Sequence, residues 1–308
     1  MYARCNEASK GDHELMYLVI GANGYLGNYI MRSILNDTEE NIVATARHID
    51  SGYQNSRISW QECDITDDDA FDKLVERVKD KENLKVVFLA AYHQPDLVAQ
   101  NPELAWNINV TTLSKCVNKL RFAKKLFYAS TDSVYGNSVD GYHFKETDAL
   151  NPVNIYGRNK CAAEAVVIWS GFNVVRFPFL IAPSLVSTKK HFYDRIVESL
   201  ERGEKVEMFS DSYRSSLNFK TAGDLLIGLM ELEDTVPAIL NIGGDDDLSK
   251  YDIGLMIADK LGVSRDMIVP IKTTDNQEIF KTARATSTLL DSSKVKEVLG
   301  IESIKLVI

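Results

Sequence analysis

The apolar residues of the chain gather in short blocks, separated by longer stretches patterned like amphipathic helices. The blocks lie at Tyr17 to Ile20, Ile42 to Thr45, Ile58 to Gln61, Val86 to Ala90, Leu126 to Ala129, Val174 to Phe177 and Ile239 to Ile242. Several are continuous apolar runs, as parallel strands covered on both faces require, and the stretches between them are long enough for crossover helices. The alternation predicts an α/β fold, a Rossmann-type doubly wound parallel sheet. After Pro183 it weakens into a helical stretch from Phe192 to Glu201, a loop from Tyr213 to Phe219, a helix from Thr221 to Glu231 and a final region from Leu248 onward. We expect 1–14 to be an extension, 15–183 plus 217–244 to form the sheet domain, and 184–216 plus 245–308 to form a smaller, interleaved lobe.

Composition narrows the setting. With 308 residues, 45% of them hydrophobic, the chain can bury a substantial core. No apolar run approaches the roughly 18 to 20 residues that span a bilayer, and MYARCNEASKGDHE lacks the apolar centre of a signal peptide, so a cytoplasmic location is expected. The net charge of -9 argues against general affinity for nucleic acid or anionic membranes. Four dispersed cysteines without a CxxC pair read as reduced thiols, and five scattered histidines without HExxH predict no catalytic metal.

The segment GANGYLG, residues 21–27, follows the first block and opens a helix-patterned stretch. Gly21 permits a tight turn, Gly24 the close approach of a pyrophosphate and Gly27 close packing of helix on strand; the helix N-terminus then offers unpaired N–H groups to phosphate. The same triplet also fits a plain strand-to-helix turn. Asp64 and Ile65 follow the third block, where an adenine edge would lie. Behind the second, Arg47 and His48 stand where a 2′-phosphate could sit, a pattern that favours NADPH over NADH, with Asp50 nearby as the opposing sign.

In NIYGRNKCAAE, Tyr156 and Lys160 are four apart on one helix face. A phenol with a pKa of ~10 is a poor acid or base at neutrality, and a nearby ammonium is expected to move it downward. Such a pair also occurs on ordinary surfaces. Upstream, KKLFYASTDSVYG ends a strand with Ser130, Thr131 and Asp132, and Thr131 could donate a hydrogen bond to the carbonyl that Tyr156 protonates.

Taken in order, GANGYLG, CDIT, LAAYH with Asn109 in NINVTT, STDSVYG, YGRNK, VVRFPFLIAP and LNIGG resemble the extended short-chain dehydrogenase/reductase family over nearly the whole chain. The pieces STDSVYG, ETDALNPVNIYGRNKCAAE and ARATSTLLDSSKVKEVLGI are most similar to its dTDP-4-dehydrorhamnose reductases. The resemblance implies catalysis by Thr131, Tyr156 and Lys160. It implies cofactor contacts from Gly21, Asn23, Gly24, Tyr25, Leu26, Gly27, Arg47, Asp64, Ile65, Ala90, Ala91, Tyr156, Lys160 and Pro178, and substrate contacts from Thr131, Asp132, Arg214 and Arg284. Asn109 would brace the strand behind the cofactor, and His93 would occupy a loop beside it. The arginines suit a diphosphate because a planar fork pairs two oxygens. Trp60, Trp106 and Trp169 read as packing residues.

The reaction implied is NAD(P)H-dependent reduction of a nucleotide-activated 4-keto-6-deoxysugar, with a homodimer left open. Related dehydratases carry Asp-Glu after the threonine; here Asp132-Ser133 lacks that base. A 4-epimerase with tightly bound NAD uses the same trio and remains an alternative. So does a catalytically silent binding or regulatory subunit, although such proteins often lose the tyrosine or lysine kept here.

Overall fold

The computed structural model describes residues 16–49, 53–81, 83–186, 188–274 and 281–308; the expected extension at 1–14 and Asp50 lie outside them. The strands in chain order are β1 (Met16–Ile20), β2 (Asn41–Ala46), β3 (Ile58–Glu62), β4 (Leu84–Phe88), β5 (Lys125–Thr131), β6 (His143–Phe144) and β7 (Asn173–Phe177). They continue with β8 (Val206–Phe209), β9 (Tyr213–Arg214), β10 (Ile239–Asn241), β11 (Leu248–Ser249), β12 (Ile268–Ile271) and β13 (Leu289–Leu290). The helices are α1 (Tyr25–Asp37), α2 (Asp68–Val78), α3 (Pro95–Gln100), α4 (Pro102–Trp106), α5 (Leu113–Lys119), α6 (Ile155–Trp169), α7 (Phe192–Glu201), α8 (Phe219–Glu231), α9 (Lys250–Leu261) and α10 (Ser293–Leu299).

Seven strands, one on each predicted block, form a sheet in the order β10-β7-β5-β4-β1-β2-β3, and every adjacent pair is parallel. All residues of β1 and β4 are buried, which is why these blocks read as unbroken apolar runs. Their ends differ from the prediction for identifiable reasons. β5 runs on to Thr131 because Ser130 and Thr131 pair with Arg176 and Phe177. β4 stops at Phe88, and Ala90 turns aside to lie against Gly21. Helix α8 starts two residues earlier than expected, capped by the Asn218 side chain on the Lys220 N–H.

Helices cover both faces. Phe71 and Leu74 of α2, Val117 of α5 and Val167 of α6 fill one side of the sheet; Ile30 and Ile34 of α1, Leu226 and Met230 of α8 and Val295 of α10 fill the other. A separate apolar core joins Tyr193 and Ile196 of α7 to Met208, Ile257 and Ile268. Short pairings stitch this region together: β8 with β12, β9 with β11, and β6 with β13. Between α4 and α5 the helix widens into a π-turn over Asn107–Thr112, and the buried Asn109 grips the Tyr92 backbone at both its N–H (2.7 Å) and its carbonyl (3.0 Å). Asn109 is thus a brace.

Two tryptophans depart from the packing role. Trp60 is partly buried and donates to the Tyr53 carbonyl, but Trp106 is 49% and Trp169 79% exposed. Both close the C-terminal turn of a helix on its outward face, and Arg121 lies 4.9 Å above the Trp169 ring. Among the described residues, no helix is long and apolar enough to cross a membrane.

Candidate active site

The glycine loop is built as its spacing predicts. Gly21 has φ +89, a left-handed value costly for any side chain, and a Cβ there would lie 2.9 Å from the Ala90 nitrogen. A Cβ on Gly27 would meet the Ala22 and Gly21 carbonyl oxygens at 2.6 and 2.7 Å. At Gly24 the crowding is milder: a Cβ there would meet the Gly21 oxygen at 3.3 Å, a tight contact but less severe than those at Gly21 and Gly27. Gly24 caps α1 without a side-chain bond to its first turn, which leaves those N–H groups and the positive end of the helix for an anion. The cradle fits a dinucleotide pyrophosphate. Asn23 donates to the His48 carbonyl (3.1 Å), Leu26 packs against the core, and the Tyr25 phenol turns away to the Lys190 carbonyl (2.9 Å). At the far end, Asp64 accepts from the Thr66 N–H and hydroxyl at 2.9 and 2.7 Å. Desolvation works against its charge, but these bonds, with the charges of Arg47 and His48, hold it below the usual carboxylate range. Arg47, His48 and Asp64 therefore meet at one edge; Ile65 beside them is buried.

Tyr156 and Lys160 stand on the first turns of α6, whose Asn154 cap accepts from the Gly157 N–H (2.9 Å) and donates to the Ala283 carbonyl (3.0 Å). Lys160 is 2% exposed; its ammonium donates to the Ala129 carbonyl at 2.6 Å and lies 4.0 Å from the Tyr128 ring centroid. Desolvation lowers its pKa to about 7, against the opposing charge of Glu164. The phenol of Tyr156 goes the other way from the expectation. It is raised above its ordinary value, first by desolvation and then by the Asp132 carboxylate, because loss of water penalises phenolate and a carboxylate's charge opposes a second negative one. Thr131 ends β5 and donates to Asp132 Oδ1 at 3.0 Å while accepting from the Ser133 N–H at 3.2 Å.

Three residues that motif spacing did not mark hold this arrangement. A Cβ on Gly157 would sit 2.4 Å from the Ser133 oxygen, so only glycine lets α6 rest on the turn after Thr131. Behind it, Glu164 accepts from Arg176 Nη2 at 2.7 Å and from the Ser130 hydroxyl, and both charged partners are 1–2% exposed. That buried pair ties the ends of β5 and β7 to α6.

A cavity of about 680 Å³ is lined by Thr131, Asp132 and Pro178 together with Arg214, Lys250 and Arg284. The Arg214 fork is already engaged: Nε lies 3.3 Å from Asp132 Oδ2, Nη1 donates to the Thr286 carbonyl at 2.8 Å and Nη2 to that of Ala285 at 2.6 Å. Arg284 lies 3.0 Å from Asp96. Lys250, unmarked by the sequence, is ringed by Phe179, Phe192 and Phe209 at 5.4 to 6.0 Å. Desolvation lowers its pKa to about 8, helped by the charges of Arg214 and Arg284.

A family model described as the RmlD substrate binding domain matches residues 15–305. The chain belongs to this family. It is similar to the methionine adenosyltransferase 2 subunit beta of Danio rerio, 24% identical over 94% of this chain and 88% of that one. Among solved structures it is similar to a dTDP-4-dehydrorhamnose reductase from Bacillus anthracis in complex with NADP, with TM-score 0.78, 18% identity and 95% of each chain covered. A UDP-glucuronic acid 4-epimerase from Bacillus cereus in complex with UDP-glucuronic acid and NAD has TM-score 0.78, 18% identity and 94% coverage of each chain.

Proposed function

We propose that the protein reduces the keto group of a nucleotide-activated 4-keto-6-deoxysugar with NAD(P)H, NADPH being preferred and NADH accepted. One observation carries this reading: a large, cation-walled cavity opens on Thr131 and Asp132, and burial with the charge of that same Asp132 keeps the Tyr156 phenol protonated; a neutral phenol is the donor that a carbonyl oxygen requires as it becomes an alcohol. The nicotinamide, when bound, supplies the hydride. Gly21, Gly24 and Gly27 with the first turn of α1 hold the pyrophosphate, Arg47 and Asp64 flank the adenosine, and Ala90, Ala91 and Pro178 bound the nicotinamide side. The Thr131 hydroxyl exchanges its Asp132 acceptor for the substrate oxygen and orients it. Tyr156 delivers the proton, and Lys160, with its pKa near neutrality, is suited to replenish it. In this reading 15–183 with 217–244 bind the cofactor, and 184–216 with 245–308 bind the sugar nucleotide. Arg214, Arg284 and Lys250 face its diphosphate, with the Arg214 carbonyl bonds exchanged for phosphate oxygens. The RmlD family match and the likeness to a reductase complexed with NADP support the assignment.

The test is oxidation of NADPH by purified protein given a dTDP-4-keto-6-deoxysugar, followed at the reduced-nicotinamide absorbance. We expect turnover, lost about 10³-fold in Tyr156→Phe. A second reading, a cofactor-binding subunit of another enzyme, draws on the likeness to the methionine adenosyltransferase subunit. Tight cofactor binding without turnover of any nucleotide keto-sugar would select it over the reductase.

A further inference from the structure

The chain between β7 and α7 is fastened to the helix that begins at the glycine loop. Tyr29 donates from α1 to the Pro183 carbonyl at 2.8 Å, and Tyr25 to that of Lys190 at 2.9 Å. His191 packs edge-on against Tyr25 and Phe219, with centroids 4.8 and 5.0 Å apart. Asp194 fixes the same segment from the other side, accepting from the Ser184 and His191 N–H groups at 3.1 and 2.7 Å.

Between these anchors stands Lys189. Its ammonium donates to the Asn23 carbonyl of the glycine loop at 3.3 Å, a long and solvent-exposed bond. Its charge also reaches across the cleft. His93, on the loop after β4, is depressed by desolvation and further by Lys160 and Lys189. Asn23 precedes Gly24 in the glycine loop, and His93 follows three residues after Ala90, the residue that lies against Gly21. An ammonium placed there faces the region where two phosphate charges would lie, and its weak carbonyl bond is readily exchanged for a charge-assisted one.

We infer that Lys189 is a ligand for the cofactor's pyrophosphate, added to the glycine loop from the far side of the cleft. The inference rests on the cofactor reading above but not on which sugar is reduced. Lys190, its neighbour, is committed elsewhere, 2.7 Å from Glu198, and serves as the control.

Calorimetric titration with ADP-ribose, which carries the pyrophosphate without nicotinamide, tests it in the full chain. Lys189→Met should raise the Kd for ADP-ribose about tenfold, flatten its dependence on salt and leave the melting temperature unchanged. Lys189→Arg should restore most of the affinity, and Lys190→Met should bind as the wild type does. Equal affinity and salt dependence in wild type and Lys189→Met would overturn the assignment, as would an equal loss in Lys190→Met. A wild type that binds neither ADP-ribose nor NADPH would sink the cofactor reading itself and this inference with it.

Discussion

Two lysines are buried at opposite ends of the same sheet, Lys85 at 7% and Lys160 at 2% exposure. Lys85 opens β4 and lies 2.7 Å from both the Glu40 and the Glu231 carboxylates, with the Tyr17 phenol donating to Glu231 as well. Lys160 sits by the opposite ends of the strands, held by the Ala129 carbonyl and the Tyr128 ring, while its neighbour Glu164 is drawn off by Arg176. One ammonium is locked in a structural cluster; the other is desolvated, opposed only by the charge of a Glu164 that is paired with Arg176, and falls to about 7. Burial alone does not make a lysine chemically useful. The counter-charge decides, and a parallel sheet collects chemistry at the carboxyl ends of its strands.

Substitution can break this contrast. The largest effect is expected for Lys160→Met, which should lower NADPH-dependent turnover about 10³-fold without loss of stability at pH 7. The sign follows from its depressed pKa. Folding strips the proton from a group that would otherwise hold it up to ~10.5, so the penalty is full below pH 7 and disappears as pH rises toward 10. The methionine variant should therefore melt above the wild type at pH 6 to 7, and the gap should close by pH 10. Lys85→Met should do the reverse. It leaves Glu40 and Glu231 crowded without their cation, costing about 3 kcal/mol in chemical denaturation, while turnover per folded molecule stays within twofold. A fall of turnover on the scale of Lys160→Met would dissolve the contrast. Removal of the supporting hydroxyls should matter least. Tyr17→Phe and Ser130→Ala each delete one bond to a carboxylate, for about 1 kcal/mol, and Ser130→Ala alone should displace the pH profile of turnover through Glu164.

The strands were legible because β1 and β4 are buried on both faces and so had to be apolar throughout. Gly21 was legible because its φ and its contact with Ala90 admit nothing larger. Thr131, Tyr156 and Lys160 stood out by order and spacing. What spacing could not convey was water. The same separation that brought Tyr156 near a cation says nothing of how deeply either is buried, and the phenol moved up where a downward shift was expected. Lys250 and Lys189 escaped notice because their partners are remote in sequence: Lys189 meets a carbonyl 166 positions away; the Glu164–Arg176 pair, only 12 positions apart, escaped because it joins a helix to the following strand, where no fixed spacing marks a contact. Trp169 failed in the opposite sense, since an aromatic at the end of a helical pattern carries no mark of which way it faces.

The pairing of β6 with β13 bears on how the molecule comes into being. The cavity wall from Lys281 to Thr286, the carbonyls that hold Arg214 and the bond from Thr288 to the Gly136 carbonyl, 152 positions apart, all depend on a segment synthesised well after the sheet. The glycine loop, β4 and α6 are made long before. Contacts of such span close slowly, so a nascent or refolding chain should gain its anion cradle first and its second wall last. In stopped-flow refolding, ADP-ribose binding should recover ahead of the burial of Phe209, leaving a window in which the molecule can hold one ligand and not yet the other.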